Sequence, residues 1–426
     1  MAKIRVKNFG PIKKGYLEND GWIDIKKVTL FIGTQGTGKS TLAKLISTFT
    51  WIEKSLVRGD YELEYFKNIG QFYERLYFHN IQSYLQGFKP EQLDIFGEKL
   101  LKKASQIDYR GDSINISIDG EHVKIEKSKK QQYHLPQIVY MPAERNLLNF
   151  TYEYRRSRMV PETLIDLQYT YREVLRSMNG GIIRLPINEL DLMYHSASES
   201  LVVRGDDYTV NLHEASSGIQ SVVPLYLISL YFSNIVEASS QSPEPMNSEE
   251  LERFKTDIAS IHNNLDLTEE QRQAALSVVA NKYKKTAFIN IVEEPEQNLF
   301  PTSQWEILKS LLIFNNGSSG NKLIMTTHSP YVISFLTLAV KAASVLAKIN
   351  KCEKQTQLLQ EIEKIVPTKA ALDSDELVIY EINRKGEVIK LDSYEGLPSD
   401  DNYLNQILEQ SNILFSQLLD IEDQCQ

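Results

Sequence analysis

The chain has 426 residues and a formal net charge of −9, which allows up to about three domains and argues against a protein whose main role is to coat nucleic acid. Its two cysteines, Cys352 and Cys425, exclude a disulfide framework and a zinc site built from cysteines. No signal-type apolar start and no apolar run of about eighteen residues occurs, so the sequence predicts a soluble, cytoplasmic protein.

The first part of the chain predicts short strands followed by a long helix. Residues 3–33 contain three apolar runs separated by turn residues, and the last run, "VTLFIG", leads into a glycine-rich segment. From Lys39 onward the apolar residues recur at helical spacing. Aromatic and charged residues with few helix breakers predict a helical insertion over 60–110. The segment "SINISIDGEHVKIEK" predicts a hairpin that turns at Asp119 and Gly120.

The rest of the chain alternates apolar strands with helices. The runs "QIVYMP", "AFINIV" and "KLIMTT" are typical of strands buried on both faces, and we expect the first of them to be central in its sheet. Residues 238–248 predict a polar loop, 249–285 a charged helical pair, and 400–421 a closing amphipathic helix. The alternation predicts an α/β fold with a mixed central sheet, N-terminal antiparallel strands and helical insertions.

These elements divide the chain into six predicted segments. In chain order they are an N-terminal lobe with the glycine-rich loop (1–58), a mostly helical insertion (59–135), a core segment (136–236), a loop with a second helical insertion (237–285), a second core segment (286–345), and a C-terminal hairpin and helix (346–426). We expect the two insertions to form partner surfaces, because they decorate a fold that can do without them.

The segment "GTQGTGKST" fits the phosphate-loop pattern of a nucleotide-binding protein. Its glycines permit a tight loop whose backbone N–H groups point at phosphate oxygens, and the following helix directs its positive dipole end at the same anion. We expect Lys39 to pair with the β- and γ-phosphates and Ser40 to ligate Mg²⁺. The predicted nucleotide-binding residues are Gly33, Gln35, Gly36, Thr37, Gly38, Lys39, Ser40 and Thr41.

Two further strand ends carry side chains suited to phosphate chemistry. The strand "AFINIV" ends in Glu293, expected to hold Mg²⁺ through its water shell, and Glu294, expected to orient and polarise the attacking water. The strand "KLIMTT" delivers His328, which can contact the γ-phosphate and sense its loss. We therefore predict Glu294 and His328 as catalytic residues and Glu293 with Ser40 as metal ligands.

A second candidate anion site lies at the helix start in "HEASSGIQ". Ser216, Ser217 and Gly218 precede an apolar helix that carries Gln220 in its first turn. Small residues at such a place usually serve only as a helix cap. The order of the four motifs along the chain favours a role in nucleotide binding.

In this order the four motifs resemble those of ABC-type ATPases. The N-terminal "IRVKNFGPIKKGYLE" is similar to the first strands of the branch that includes SMC, RecF and OLD-like proteins, and "YMPAERNLL", "EEPEQNLFP" and "TTHSP" resemble the OLD-like versions. The resemblance covers most of residues 1–345. It departs at Glu293, where an aspartate is usual, and after "IVYM", where no Q-loop glutamine follows and Glu144 or Arg145 are the candidates to replace it.

Among these ATPases the sequence most resembles the ATPase subunits of PARIS anti-phage systems. About 175 residues without sustained heptads separate Lys39 from Ser216, which excludes the long coiled-coil arms of SMC proteins. The resemblance implies ATP and Mg²⁺ bound between the phosphate loop of one copy and Ser217 and Gly218 of another, in ATP-sandwich dimers or a larger ring. It also implies a regulatory ATPase that holds a TOPRIM nuclease, supplied in trans because the chain leaves no room for one, and frees it when a phage trigger protein appears.

Two alternatives stay open at this point. A RecF-like DNA-binding repair ATPase would explain "YEYRRSR", whose Arg155, Arg156 and Arg158 mix with aromatic residues as in nucleic-acid patches, although the acidic chain favours a solvated face or a subunit contact. A small-molecule kinase would explain the phosphate loop but neither the helix start at Ser217 nor His328.

Overall fold

The computed structural model describes residues 2–87, 103–128, 133–150, 160–238, 248–264, 267–349 and 355–423. The strands are β1 (Ala2–Lys7), β2 (Gly15–Tyr16), β3 (Ile23–Ile25), β4 (Val28–Gly33), β5 (Gln106–Arg110), β6 (Ile114–Asp119), β7 (His122–Lys127), β8 (Pro136–Met141), β9 (Ile182–Arg184), β10 (Asp191–His195), β11 (Ser200–Arg204), β12 (Thr209–Asn211), β13 (Ala287–Glu293), β14 (Lys322–Thr326), β15 (Leu377–Ile382), β16 (Glu387–Lys390), β17 (Ser393–Tyr394) and β18 (Leu397–Pro398). The α-helices are α1 (Lys39–Arg58), α2 (Leu63–Lys67), α3 (Ile69–Tyr77), α4 (Glu162–Ser177), α5 (Ser217–Ala238), α6 (Ser248–Asn263), α7 (Glu269–Tyr283), α8 (Pro301–Asn316), α9 (Pro330–Ile349), α10 (Gln355–Ile365) and α11 (Tyr403–Asp423).

A seven-stranded mixed sheet forms the centre of the molecule, in the order β2-β16-β15-β4-β14-β13-β8. The five strands from β15 to β8 are parallel to their neighbours, and β16 runs antiparallel to β15. In this register Glu293 lies opposite Thr326, and Thr326 lies opposite Phe31. The carboxyl ends of β4, β14 and β13 therefore meet at one edge of the sheet, as the predicted α/β fold with a mixed sheet requires.

The expectation that "QIVYMP" is a central strand is wrong, because β8 is the terminal strand of the seven. Among the described strands its one neighbour is β13, with which it pairs in parallel. Val139 and Met141 on β8 are nonetheless buried in the same apolar cluster as helices α4 and α5. An apolar strand sequence indicates that helices cover both faces of the strand, but it does not indicate how many strands lie beside it.

The N-terminal strands form a separate antiparallel sheet in the order β3-β1-β5-β6-β7. The predicted hairpin of 113–127 is present as β6 and β7. The described part of the segment 59–135 is consequently not mostly helical. Helices α2 and α3 occupy its first part, whereas β5 to β7 extend the N-terminal sheet, because their alternating apolar residues match the two-residue period of a half-buried strand.

A buried carboxylate joins the phosphate-loop helix α1 to this N-terminal sheet. Glu53 is 2% exposed and accepts hydrogen bonds from the Tyr109 hydroxyl (2.8 Å) and from the backbone N–H groups of Ser113 (2.6 Å) and Ile114 (3.1 Å). Burial raises the pKa of Glu53, and these hydrogen bonds oppose that rise. At Gly111 an added Cβ would lie 2.3 Å from the carboxylate, so the close approach of the chain requires glycine there.

Two described helices, α5 and α9, are long and apolar enough to cross a membrane by length and composition alone. In α5 the most apolar window is 72% buried, and this helix packs against α4, α8 and β13 in the core. In α9 the corresponding window is 39% buried, and one face of the helix contacts α8. The packing of α5 is that of a core helix in a globular protein.

The last predicted helix is present as α11, but it does not close the core. Tyr403, Leu404 and Asn405 are half-buried, whereas every described residue from Gln406 to Asp423 is exposed. An amphipathic pattern predicts that a helix has an apolar face, and only tertiary contacts decide whether the same chain covers it.

Candidate functional site

The glycine-rich loop between β4 and α1 has the backbone conformation that its glycines allow. Gly33, Gly36 and Gly38 have φ values of 138°, 75° and 112°, which side-chain-bearing residues rarely adopt. An added Cβ would lie 2.3 Å from the Ile382 carbonyl oxygen at Gly33 and 2.5 Å from the Ile12 side chain at Gly38. At Gly33 and Gly38, both the backbone conformation and the close approach of neighbouring residues therefore require glycine.

Lys39 lies folded back beneath this loop. Its side chain is buried, and its Nζ donates to the carbonyl oxygens of Gly33 and Thr34, each at 2.9 Å. Burial lowers the pKa of Lys39 to about 8, and the nearby carboxylates of Glu294, Glu296 and Glu293 oppose this shift. The ammonium group therefore faces three acids and is bound only to neutral carbonyls, which an anionic ligand could replace.

Glu293 and Glu294 follow one another at the end of β13 and have different surroundings. Glu293 is 7% exposed, and one of its carboxylate oxygens accepts a hydrogen bond from the hydroxyl of Tyr140 on β8. Glu294 has a left-handed φ of 45°, which is uncommon for a side-chain-bearing residue and is typical of functional sites. The turn at Glu294 separates one buried carboxylate from one that is partly exposed.

His328 lies beside Glu294, with its Nε2 3.5 Å from the Glu294 Oε1. Burial and the positive charge of Lys39 lower the pKa of His328, which keeps the imidazole neutral near pH 7. The structure therefore brings together the predicted Lys39, Glu293, Glu294 and His328, from the ends of three neighbouring strands.

A third acid, Glu296, contributes to the site and was not predicted. Its Oε1 accepts hydrogen bonds from the Thr327 hydroxyl (2.7 Å) and the His328 backbone N–H (2.8 Å), and burial raises the pKa of its carboxyl. Glu296 thereby fixes the turn that carries His328. The signal in the sequence was the third carboxylate within the same short turn, "EEPE".

Arg145 is the largest fully buried side chain of the described residues. Its guanidinium donates to four carbonyl oxygens, those of Pro142 (3.2 Å), Ser221 (3.1 Å), Glu293 (2.7 Å) and Glu294 (2.7 Å). Burial lowers the pKa of Arg145 to about 10. Because these bonds hold the backbone on both sides of the turn into Glu294, Arg145 supports its left-handed conformation. It is not available as a substitute for a Q-loop glutamine, and Glu144 beside it is exposed.

The predicted second anion site lies apart from the phosphate loop. Ser216 and Ser217 are exposed at the start of α5, and the Gln220 side chain donates to the carbonyls of His213 (2.9 Å) and Ala215 (2.8 Å) within the same turn. Among the described residues, no hydrogen bond or ion pair joins this turn to Gly33–Thr41. Gly218 instead packs on the loop after Glu294, where an added Cβ would lie 2.6 Å from the Asn298 carbonyl oxygen.

The oxygen donors at the site fit a magnesium ion that is shared with a ligand. Ser40 supplies a hydroxyl and Glu293 a carboxylate, and Mg²⁺ is commonly bound by one or two protein oxygens together with substrate phosphates and water. In the described part of the chain, no group of three or more His, Cys, Asp or Glu residues could hold a metal ion unaided. Ser40 and Glu293 could together supply two of the oxygen ligands of such an ion.

The basic segment that a DNA-binding protein would explain lies outside the described residues, and this holds for Arg155, Arg156 and Arg158. A cavity of about 730 Å³ borders Trp51, Arg58 and Arg172, and no residue of the phosphate loop lines it.

Comparison with known proteins adds distant structural likenesses. No protein-family model matches the sequence, and no curated protein matches it. The chain is similar to the SMC head domain from Thermotoga maritima, at 9% identity and a TM-score of 0.32 over 78% of this chain and 90% of that one. It is also similar to an SMC head domain from Pyrococcus furiosus bound to the C-terminal domain of ScpA, at 9% identity and a TM-score of 0.31 over 98% of this chain and 100% of that one. A third similar structure is a dimeric bacterial ABC transporter cassette, at 11% identity and a TM-score of 0.25 over 92% of this chain and 100% of that one. Likenesses at this level carry no argument about activity, ligand or partner.

Replacing Arg145 with lysine should destabilise the protein. A single ammonium cannot span the four carbonyls that the guanidinium binds, so buried acceptors lose their partners at about 1–3 kcal/mol each. We expect Arg145→Lys to lower the free energy of urea unfolding by about 2–4 kcal/mol in total. The matched control is Arg184→Lys, an exposed arginine paired with Glu189 and Asp191, which should change it by less than about 0.5 kcal/mol. Equal stability of the two variants would contradict the role given to Arg145.

Proposed function

We propose that the protein is an ABC-type ATPase that binds ATP with Mg²⁺ at the edge of its central sheet and hydrolyses it slowly. The observation that supports this most directly is the convergence of Lys39, Glu293, Glu294 and His328 at one end of three parallel strands, beneath a glycine-rich loop that opens a helix. A glycine-rich turn with a solvated lysine would need neither the burial of Lys39 nor three acids around it.

The surroundings of each residue indicate its role in the proposed reaction. In the proposed complex Lys39 exchanges the carbonyls of Gly33 and Thr34 for phosphate oxygens, and backbone N–H groups of the loop bind the others. Ser40 and Glu293 would hold magnesium, which neutralises phosphate charge when it is bound. Glu294, the more accessible acid, orients the attacking water, and neutral His328 beside it can donate to the terminal phosphate.

The exposed turn at Ser217 supports a site completed by two copies of the chain. Ser216 and Ser217 stand at the N-terminus of the 22-residue helix α5, where free N–H groups favour an anion, yet the turn makes no hydrogen bond with its own phosphate loop. We propose that it contacts the nucleotide held by Lys39 of another copy, in ATP-sandwich dimers or a larger ring. ATP would then stabilise the closed pair by mass action, and hydrolysis by Glu294 would set its lifetime.

The biological role that we propose is that of a cytoplasmic sensor and scaffold in anti-phage defence. In this role the ATPase holds a TOPRIM nuclease supplied in trans and releases it when a phage trigger protein appears. The support for this part is the resemblance of "YMPAERNLL", "EEPEQNLFP" and "TTHSP" to OLD-like ATPases, together with the order of the motifs. No observation on the described residues favours the RecF-like alternative over it.

Replacing Lys39 with alanine should abolish nucleotide binding. The variant removes the ammonium group that lies beneath the glycine-rich loop and that would bind the phosphates. Fluorescence titration with a labelled ATP analogue and Mg²⁺ should show at least a hundredfold loss of affinity. The control is Lys309→Ala, which removes an ammonium paired with Glu306 on α8. Unchanged ATP affinity in Lys39→Ala would remove the phosphate-loop assignment.

Nucleotide binding should take up protons near pH 8. In the free protein burial holds the pKa of Lys39 at about 8, so part of the population is neutral at this pH, and a bound polyphosphate raises that pKa. Affinity for Mg-ATP should therefore be constant below about pH 7 and fall as the pH rises through 8. Calorimetry at pH 8 in two buffers of different ionisation heat measures the uptake. Binding without net proton exchange would contradict this account of Lys39.

Replacing Glu294 with glutamine should separate binding from hydrolysis. Glutamine keeps the size of the side chain but cannot accept a proton from water, so we expect hydrolysis to fall by about 10²–10⁴-fold with little change in ATP affinity. The ATP-bound assembly should persist longer than that of the wild type, as measured by sedimentation after ATP is removed. An assembly that dissociates faster than wild type would contradict the proposed site between two copies.

A further inference from the structure

Helix α11 carries a concentration of exposed apolar side chains. None of its residues is buried, and eight of its large apolar side chains are 45–63% exposed. They are Ile407, Leu408, Ile413, Leu414, Phe415, Leu418, Leu419 and Ile421. A monomeric soluble protein rarely exposes so many neighbouring apolar groups unless the surface binds something.

Most of these side chains lie on one stripe with a seven-residue period. In heptad notation, Leu404, Ser411 and Leu418 occupy positions a, and Ile407, Leu414 and Ile421 occupy positions d. Leu408 and Phe415 widen the stripe at positions e, whereas Ile413 and Leu419 fall outside it. We call the side chains at positions a and d, with Leu408 and Phe415, the α11 seam. Its period is that of helices that pair with other helices.

The charges of α11 indicate what kind of partner fits the seam. The helix contains four acids and no base, and Glu409, Asp420 and Asp423 lie at positions c and f, facing away from the seam. The positions that flank the seam are Leu408, Gln410, Phe415, Gln417 and Glu422, of which only the last is charged. In paired helices the flanking charges select unlike partners, so a neutral flank leaves identical helices free to pair without repulsion.

The first turn of α11 is fixed to the central sheet beside the phosphate loop. The Tyr403 backbone N–H donates to the Glu381 carboxylate at 2.9 Å, and Glu381 on β15 lies opposite Ile32 on β4. A groove of about 500 Å³ there is lined by Thr34 of the phosphate loop together with Tyr403 and Ile407. From this anchored turn the rest of the 21-residue helix presents its seam to solvent.

We propose that the α11 seam pairs with the α11 seam of a second copy of this chain, independently of nucleotide. If each of the six exposed seam side chains buries on the order of 100 Å², the pair removes roughly 600 Å² per copy from water, close to the ~800 Å² of a standard stable interface. The inference goes beyond the proposed function, because this contact does not involve the glycine-rich loop or Ser217. Together, the two contacts would join ATP-sandwich dimers into a larger assembly.

Sedimentation velocity of the full chain without nucleotide tests this proposal. We expect the wild type to sediment as a dimer or larger species at micromolar concentration, relative to a monomer of 48.9 kDa. The double variant Leu414→Ser with Leu418→Ser should raise the dissociation constant at least tenfold. Its matched control is Ile413→Ser with Leu419→Ser, which removes two side chains of similar exposure outside the seam and should assemble like the wild type. All four side chains are about half exposed or more, so unchanged circular dichroism is expected in both variants.

Three results would overturn the pairing of seams. A monomeric wild type would show that the α11 seam does not pair with a second copy. Equal assembly of the seam variant and the wild type would place the contact elsewhere. Equal loss in the seam variant and its control would indicate unspecific adhesion. Lys39→Ala serves in the same assay to separate this proposal from the ATPase function, since it should lose nucleotide binding and keep the α11 contact.

Discussion

The site depends on a buried arginine whose hydrogen bonds go to backbone carbonyls and not to the neighbouring carboxylates. Arg145 has no exposed surface, and a buried guanidinium is tolerated only when its donors are satisfied. Here the acceptors are carbonyl oxygens of Pro142, Ser221, Glu293 and Glu294. The carboxylates of the three acids of the turn therefore have other partners, such as the Thr327 hydroxyl and the His328 backbone N–H for Glu296, while their backbone is fixed.

The same turn connects the two halves of the proposed interface between copies. Glu294 begins it, Glu296 binds the backbone of His328, and four residues after Glu294 the carbonyl of Asn298 lies against Gly218. Ser221, in the first turns of α5, is joined to this region by Arg145 and by Asn298. In the proposed mechanism, a change at the terminal phosphate would therefore reach the turn at Ser217 through a few short, rigid contacts.

Two kinds of association follow from the proposals, and they respond to different conditions. Contact through the phosphate loop and Ser217 requires nucleotide, and it weakens as Lys39 loses its proton above about pH 8. Contact through α11 is driven by burial of apolar surface and has little dependence on charge, because the flanks of the seam are nearly neutral. A scaffold with both contacts could open and close at the nucleotide without falling apart into single chains.

The sequence by itself determined the local features of the site and most of the elements. The glycines of the loop, Lys39, Glu293, Glu294 and His328 were predicted, because each depends on backbone conformation or on a strand end that local pattern encodes. The hairpin of 113–127 and the C-terminal hairpin were predicted for the same reason.

Only the tertiary structure decided which residues from distant parts of the chain meet. It placed β8 at the edge of the sheet, assigned Arg145 to carbonyls about 150 residues away, gave Glu296 its role at His328, and left the seam of α11 uncovered. A sequence pattern indicates that a face is apolar or that a turn is tight. It does not indicate what packs on that face, because burial and hydrogen-bond partners are properties of the folded chain.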